Sequence, residues 1–321
     1  MSIITECMKT DNLRIQVIMS TYNAEKYLRP QLDSILNQQT GMEISVLVRD
    51  DGSKDGTIDI LIEYAEKYGI SVLAGDNMGT TRSYYELIRA RDRTCDYFAM
   101  SDHDDVWLPG KLETARAFID ENKLDMSKSI LFASRSTITD EQLNPIGMTR
   151  DTPKGVGFYN AMIQNVTAGH TQVLNRALMD IVSDVYSPDI SALDWWIYML
   201  ASAVGTVVFY SDPLVLYRQH DSNLFGYKAN AAAMFFRRFR RLINEGGKGL
   251  VNQLRALRKL DLYIPDGYLE EIERFVSSQS NILSRIKYAA TAKTYRQSGW
   301  ETIAFKTLYV IGTYNTGGKN A

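Results

Sequence analysis

The feature that most constrains the fold is a rhythm in the first hundred residues, where short apolar runs alternate with helical patterns and each run ends on a polar turn. Ile15 to Ser20, Ile44 to Val48, Ser71 to Ala74 and Tyr97 to Met100 read as strands. Between them lie segments of 3.6-residue periodicity, one carrying Leu32, Ile35 and Leu36 and another running from about Gly56 to Tyr68 with Ile58, Leu61, Ile62 and Ala65 on one face. Strand and helix in strict alternation imply parallel pairing, because a parallel crossover needs a helix-length connection. The expected class is therefore α/β, with a mainly parallel Rossmann-like sheet. Asn23 can cap the first helix and Pro30 suits its first turn, while Pro109 restarts a helix through Leu112, Ala115 and Phe118. Ile130 to Ser134 is a further strand, and Met148 to Gly157 reads as a flexible stretch.

From about Ala229 strand signals stop and the chain reads as helical, which places a boundary near Phe225 between an α/β domain (1–225) and a helical carboxy-terminal domain (226–321). A length of 321 residues accommodates that division. The net charge of -2, with basic residues gathered in one segment, argues against nucleic acid as a partner. Cys7 and Cys95 form neither a disulfide framework nor a zinc motif, which fits a reducing cytoplasm. The amino terminus lacks the basic and apolar regions of a secretion signal, and no window reaches the ~18 apolar residues of a membrane span.

Three polar turns fall at the carboxyl ends of successive expected strands: Thr21-Tyr22-Asn23, Asp50-Asp51 and Asp102-His103-Asp104-Asp105. In open α/β sheets ligands bind at that edge. Each of the first two turns also has a purely local reading, as a helix entry or an Asp-Gly-Ser turn. The third crowds three carboxylates between an apolar strand and Val106-Trp107, a costly arrangement without a counter-ion. Mg2+ or Mn2+ would relieve it, since hard cations prefer carboxylate and phosphate oxygens. A solvated acidic turn at a helix entry is the structural alternative. No Gly-x-Gly-x-x-Gly follows the first strand and no Gly-x-x-x-x-Gly-Lys-Ser/Thr occurs, so dehydrogenase and P-loop chemistry lose support.

Taken in order, Ser20-Thr21-Tyr22-Asn23, Asp50-Asp51-Gly52-Ser53, Asn77-Met78-Gly79, Ser101-Asp102-His103-Asp104-Asp105-Val106-Trp107 and Tyr217-Arg218-Gln219-His220 resemble the motifs of family 2 inverting glycosyltransferases over residues 14 to 225. The Ser-Asp-x-Asp-Asp-Val-Trp and Tyr-Arg-Gln-His forms are similar to its bacterial rhamnosyltransferase branch, which builds cell-surface polysaccharide. The resemblance implies a GT-A fold, a nucleotide-sugar donor, a Mn2+ or Mg2+ cofactor and a glycan or lipid-linked acceptor. It carries Thr21, Tyr22 and Asn23 to the nucleoside pocket, and Asp50 or Asp51 to the base or ribose. Asp102 then faces the ribose or donor sugar and Asp104 ligates the metal, with the third carboxylate, Asp105, leaving the choice of ligating oxygens open. Arg218 is expected at the diphosphate and His220 at the metal or a phosphate, while Arg82 is either a donor contact or a surface residue.

An inverting transfer needs a carboxylate to take the acceptor's proton. The candidate base is Asp194, in Leu193-Asp194-Trp195-Trp196, which lies where the resemblance places the family's catalytic Asp or Glu and on spacing alone also reads as a helix N-cap. Trp195 and Trp196 are acceptor candidates, but neighbours on a helix point about 100° apart, so at most one faces the acceptor and the other belongs to the core. His170 is an acceptor-side candidate, and His103 receives no catalytic role. Phenylalanines and arginines from Met234 to Ile243, extended by Lys248, Arg255, Arg258 and Lys259, suit either a helical subdomain packed on the catalytic domain or a second subunit, or a peripheral contact with the inner face of the cell membrane. The competing readings are the same fold with UDP-glucose, UDP-galactose or UDP-GlcNAc as donor, and a nucleotide-sugar-binding scaffold without turnover. Presence of both Asp104 and Asp194 weighs against the scaffold.

Overall fold

A computed structural model describes residues 13–185, 190, 192–220 and 247–314. Cys7, the expected boundary at Phe225 and the arginine-rich segment from 234 to 243 lie outside the described residues. The core is a nine-stranded mixed sheet of order β3-β2-β1-β4-β8-β6-β9-β5, with β7 beside β6. Its first half is the parallel array that the rhythm implies: β1 (Arg14–Thr21) pairs with β2 (Glu43–Asp50) and with β4 (Tyr97–Ser101), and β2 pairs with β3 (Ser71–Ala74).

Period-two alternation in these strands builds two apolar layers. Ile15, Val17 and Met19 of β1, with Val46 and Val48 of β2, face α1 (Leu28–Leu36), α2 (Thr57–Tyr68) and α4 (Lys111–Glu121). Ile18, Leu47, Phe98 and Met100 face the other way, toward α3 (Thr80–Ala90), α5 (Phe158–Ala161), α6 (Arg176–Asp184) and α7 (Leu193–Val204). A sheet buried on both faces explains why its strands read as continuous apolar runs.

The second half departs from the simple parallel pattern. β8 (Val173–Asn175) inserts antiparallel between β4 and β6 (Ser129–Thr139), a strand too short to show alternation in sequence. β9 (Gly205–Arg218) then runs parallel to β6, and the two-residue β5 (Val106–Trp107) pairs antiparallel with Val215 and Leu216 of β9. That small pairing stitches the end of the acidic turn to the Tyr217-Arg218 end of β9.

The stretch expected to be flexible is tied down instead. β7 (Pro145–Met148) pairs with β6, the Lys154 amide donates to Gln297 Oε1 at 3.0 Å, and Gln297 Nε2 donates to the Gly155 carbonyl at 2.7 Å. Among the described residues beyond His220 lie four α-helices: α8 (Gly247–Arg258), α9 (Asp266–Ser277), α10 (Ile282–Thr291) and α11 (Gly299–Ile311). Their Leu254, Leu257, Phe275 and Tyr309 belong to the same apolar cluster as Trp196 and Tyr198 of α7, and Tyr268 stacks on Phe158 with ring centroids 4.3 Å apart. Among the described residues no helix is long and apolar enough to cross a membrane.

Candidate functional site

At the carboxyl edge of the sheet, Thr21 and Asp50 are in register, and the Thr21 hydroxyl donates to Asp50 Oδ1 at 3.1 Å. Asp50 also accepts the Ser53 amide at 2.9 Å, so it closes its own turn. Asp51 accepts the amides of Met78 at 3.0 Å and Gly79 at 2.9 Å and pairs with the buried Arg49 guanidinium. These two buried carboxylates, assigned from sequence to the base or ribose, thus hold the loops that frame the edge. Asn23 corrects an expectation: it has φ +50°, its side chain accepts the Lys54 amide at 2.9 Å, and the first helix is entered at Tyr27 without a side-chain cap. Asn23 therefore links two loops, a left-handed role its short polar side chain tolerates. Tyr22 is exposed beside it, and Arg82 is exposed in the first turn of α3.

The carboxylates of the acidic turn are kept apart by different partners. Asp104 Oδ2 lies 3.0 Å from His220 Nε2, and Tyr27 stacks on that imidazole with centroids 4.6 Å apart. Burial alone would raise the Asp104 carboxyl, but the hydrogen bond from His220 and the nearby His103 outweigh it and hold it below the ordinary value. Asp105 is fully buried; its Oδ1 accepts the Arg218 amide at 3.1 Å, while Oδ2 accepts no hydrogen bond. Burial pushes the Asp105 carboxyl well up, and the His170 imidazole opposes only part of that rise. Asp102 has the most exposed side chain of the three and lies 3.6 Å from His170 Nδ1.

His170 is more enclosed than an acceptor contact would be. Its Nε2 is 2.9 Å from Ser136 Oγ, Tyr217 stacks on its ring, and its carbonyl accepts from Lys111 Nζ at 2.9 Å. Burial would lower the imidazole, yet the carboxylates of Asp105 and Asp102 prevail and raise it. Lys111 is itself fully buried over the Trp107 ring, its amine pushed well down by burial against the pull of Asp105 and Asp102. Sequence reasoning passed over Lys111, although a lysine between Gly110 and Leu112 at the start of an amphipathic helix is the available signal.

Two ligand sets suit a hard divalent cation. Ligand atoms of Asp102, Asp105 and His170 lie within 4.8 Å of one another, and Asp105 Oδ2 is a buried acceptor without a hydrogen-bond donor. Asp104 and His220 form the second set, at the other side of the same turn. Arg218 braces both: its Nε donates to the Asp104 carbonyl at 2.9 Å, Nη1 donates to the Glu141 carbonyl at 2.6 Å, and the guanidinium lies over Tyr27.

Asp194 sits in the first turn of α7, behind Ala192, which is the N-cap; the capping role is therefore not its own. Its Oδ1 accepts the Trp195 amide and its Oδ2 the Asn165 side-chain amide, each at 2.8 Å. Burial pushes the carboxyl up, the Trp195 amide opposes this, and the charge of Asp102 adds to the rise. Asn165 escaped sequence reasoning because nothing local marks a residue 29 positions away as its partner. Trp196 is fully buried in the core, and half-buried Trp195 donates its indole N–H to the Ala161 carbonyl at 2.7 Å.

An acidic turn, a polar strand edge and a half-buried carboxylate suit transfer from a diphosphate-linked donor, and residues 16–172 match Glycosyl transferase family 2. The chain carries a family 2 glycosyltransferase domain. It is similar to the dTDP-rhamnosyl transferase RfbG of Shigella flexneri, at 28% identity over 234 residues, 68% of this chain and 77% of that protein. The glycosyltransferase fold is shared with Staphylococcus aureus TarS, crystallised as residues 1–349 with UDP-GlcNAc: TM-score 0.60, 20% identity, 93% of this chain and 82% of that one. A mannosyltransferase from Pyrobaculum calidifontis, solved with GDP-Man and Mn2+, superposes with TM-score 0.51 at 17% identity, covering 95% and 86% of the respective chains. The GT-A architecture expected of the sheet is thus present, and the enzyme is a glycosyltransferase.

Proposed function

We propose that this glycosyltransferase moves L-rhamnose from dTDP-β-L-rhamnose, with inversion, onto a glycan acceptor carried on a lipid, and that it uses Mn2+ or Mg2+. The observation that carries the reaction is the grouping of two kinds of carboxylate about one loop: half-buried Asp194 packs against Gly169, and the next residue, His170, has its Nδ1 3.6 Å from Asp102 of the acidic turn. Similarity to RfbG supports the donor.

In this reading Thr21, Tyr22 and Asn23 border the nucleoside, with Asp50 and Asp51 behind them. Asp104 and His220, together with Asp102, would hold the cation. They are favoured over Asp105 and His170 because a metal that also binds phosphate needs open coordination positions. The carboxylates decide this, since the Asp102 and Asp104 side chains are 45% and 15% exposed and Asp105 is at 0%, whereas the two imidazoles are alike, His220 at 8% and His170 at 6%. When bound, the cation would neutralise charge on the departing diphosphate. Asp194 takes the proton of the acceptor hydroxyl as that oxygen bonds to the anomeric carbon and the bond from that carbon to the phosphate oxygen breaks. Its partners Asn165 and Trp195 fix the carboxylate's direction, and burial keeps it basic enough to accept a proton.

A second reading keeps the chemistry and changes the donor to a UDP sugar, which the TarS complex with UDP-GlcNAc motivates. Thermal-shift titration with dTDP-rhamnose, UDP-glucose, UDP-galactose and UDP-GlcNAc, each with Mn2+ and with EDTA, separates the two. The expected result is a shift with dTDP-rhamnose that EDTA abolishes; stabilisation by a UDP sugar alone removes the rhamnose assignment. Residues 1–225 form the catalytic domain and 226–321 its helical companion in this proposal.

A further inference from the structure

The carboxy-terminal helices present an apolar face that the site does not use. On α10, Ile282, Leu283 and Ile286 are 54%, 75% and 48% exposed, and on α11 Trp300, Ile303 and Ile311 are 52%, 68% and 69% exposed. At about 100° per residue each set falls within roughly a 100° arc of its helix. The opposite faces hold Tyr288, Phe305, Leu308 and Tyr309 in the core. The two helices pack against each other, so the exposed residues belong to one unit.

Charge singles out the occupant. From Ser278 to Tyr314 the chain carries Arg285, Lys287, Lys293, Arg296 and Lys306 but a single acid, Glu301. Glu301 is largely buried and engaged by Arg150 and Arg296. Lys287 and Lys293 are exposed and Lys306 half-exposed. An apolar face whose own helices carry exposed or half-exposed lysines and no exposed acid is complementary to an anionic bilayer, whose headgroups meet the lysines while aliphatic side chains enter the acyl boundary. A second copy suits it less well, because a two-fold contact sets the same patch against itself and brings like charges together.

We infer that the α10–α11 face docks the enzyme on an anionic lipid bilayer. This is independent of donor and acceptor identity. The test is cosedimentation of the full chain with vesicles of phosphatidylcholine alone and of phosphatidylcholine mixed with phosphatidylglycerol. Wild type is expected to pellet with the mixed vesicles only. The double variant Ile286→Glu, Ile303→Glu should lose about 100-fold in partitioning, about tenfold per side chain, and Lys287→Gln with Lys306→Gln about tenfold, each with an unchanged melting temperature. A variant with Arg237, Arg238, Arg240 and Arg241 changed to Gln should still bind. Failure of wild type to bind, unaltered binding by both face variants, or loss confined to the arginine variant each overturns the inference. So does light scattering that shows a dimer dissociated by the glutamate variant, which would make a second copy the occupant.

Discussion

In the proposed mechanism Asp194 is the base, and its contact with Asn165 would set the pH dependence of the reaction. A base must be ionised to work; the Asn165 amide favours the charged carboxylate, whereas burial and Asp102 favour the neutral form. Asn165→Ala therefore raises the proton affinity of Asp194, and the acidic limb of the kcat/KM profile moves to higher pH. A fall in activity with an unmoved limb would reduce Asn165 to a packing role. Asp194→Asn is expected to lower kcat by about 10²- to 10⁴-fold while donor affinity, read by calorimetry, stays constant. These expectations concern single groups whose neighbours are fixed by hydrogen bonds, so they need no rearrangement of the fold.

At the scale of elements, the loop between β3 and α3 is held by Asp51. Arg49 and Asp51 are nearly inaccessible, and the Met78 and Gly79 amides close on the same carboxylate. Gly79 has φ +84°, a left-handed conformation that favours glycine, as the chain turns into α3. Replacing Asp51 with Ala leaves the buried Arg49 guanidinium without its paired carboxylate and should cost about 3–5 kcal/mol, measurable as a lower urea midpoint. A change below about 1 kcal/mol, the scale of an exposed pair, would contradict the bracing role. Strand and helix positions in this half were legible because β1, β2 and β4 are buried on both faces and α2 and α4 are amphipathic. Pairings of β8 and β5 were not, since three- and two-residue strands carry no period and are specified only by the strands they meet. The cap assigned to Asn23 failed for a related reason: its partner, the Lys54 amide, comes from the next loop.

For the whole molecule, the apolar cluster that contains Trp196 and Tyr198 also contains Leu254, Phe275, Phe305 and Tyr309. The carboxy-terminal helices thus cover apolar surface of the sheet-and-helix unit, and Arg296 Nη1 donates to the Ile163 carbonyl at 3.0 Å across the same boundary. A chain ended after His220 is expected to bind a hydrophobic dye and to lose its cooperative thermal transition. A sharp transition near that of the full chain would show that the catalytic unit folds alone.

The sequence by itself determined the parallel half of the sheet, the family, and the polar turns that end its strands, because periodicity and short motifs are local properties. It also brought Asp102, Asp104, Asp194, Arg218 and His220 forward as candidates for the chemistry proposed above. Tertiary structure alone decided their partners: His220 on Asp104, His170 and Lys111 beneath Asp102 and Asp105, Asn165 on Asp194, and Arg218 on the Asp104 carbonyl. The physical reason is that charge and proton affinity depend on distance and burial, and those are fixed only when strands far apart in the chain share one sheet.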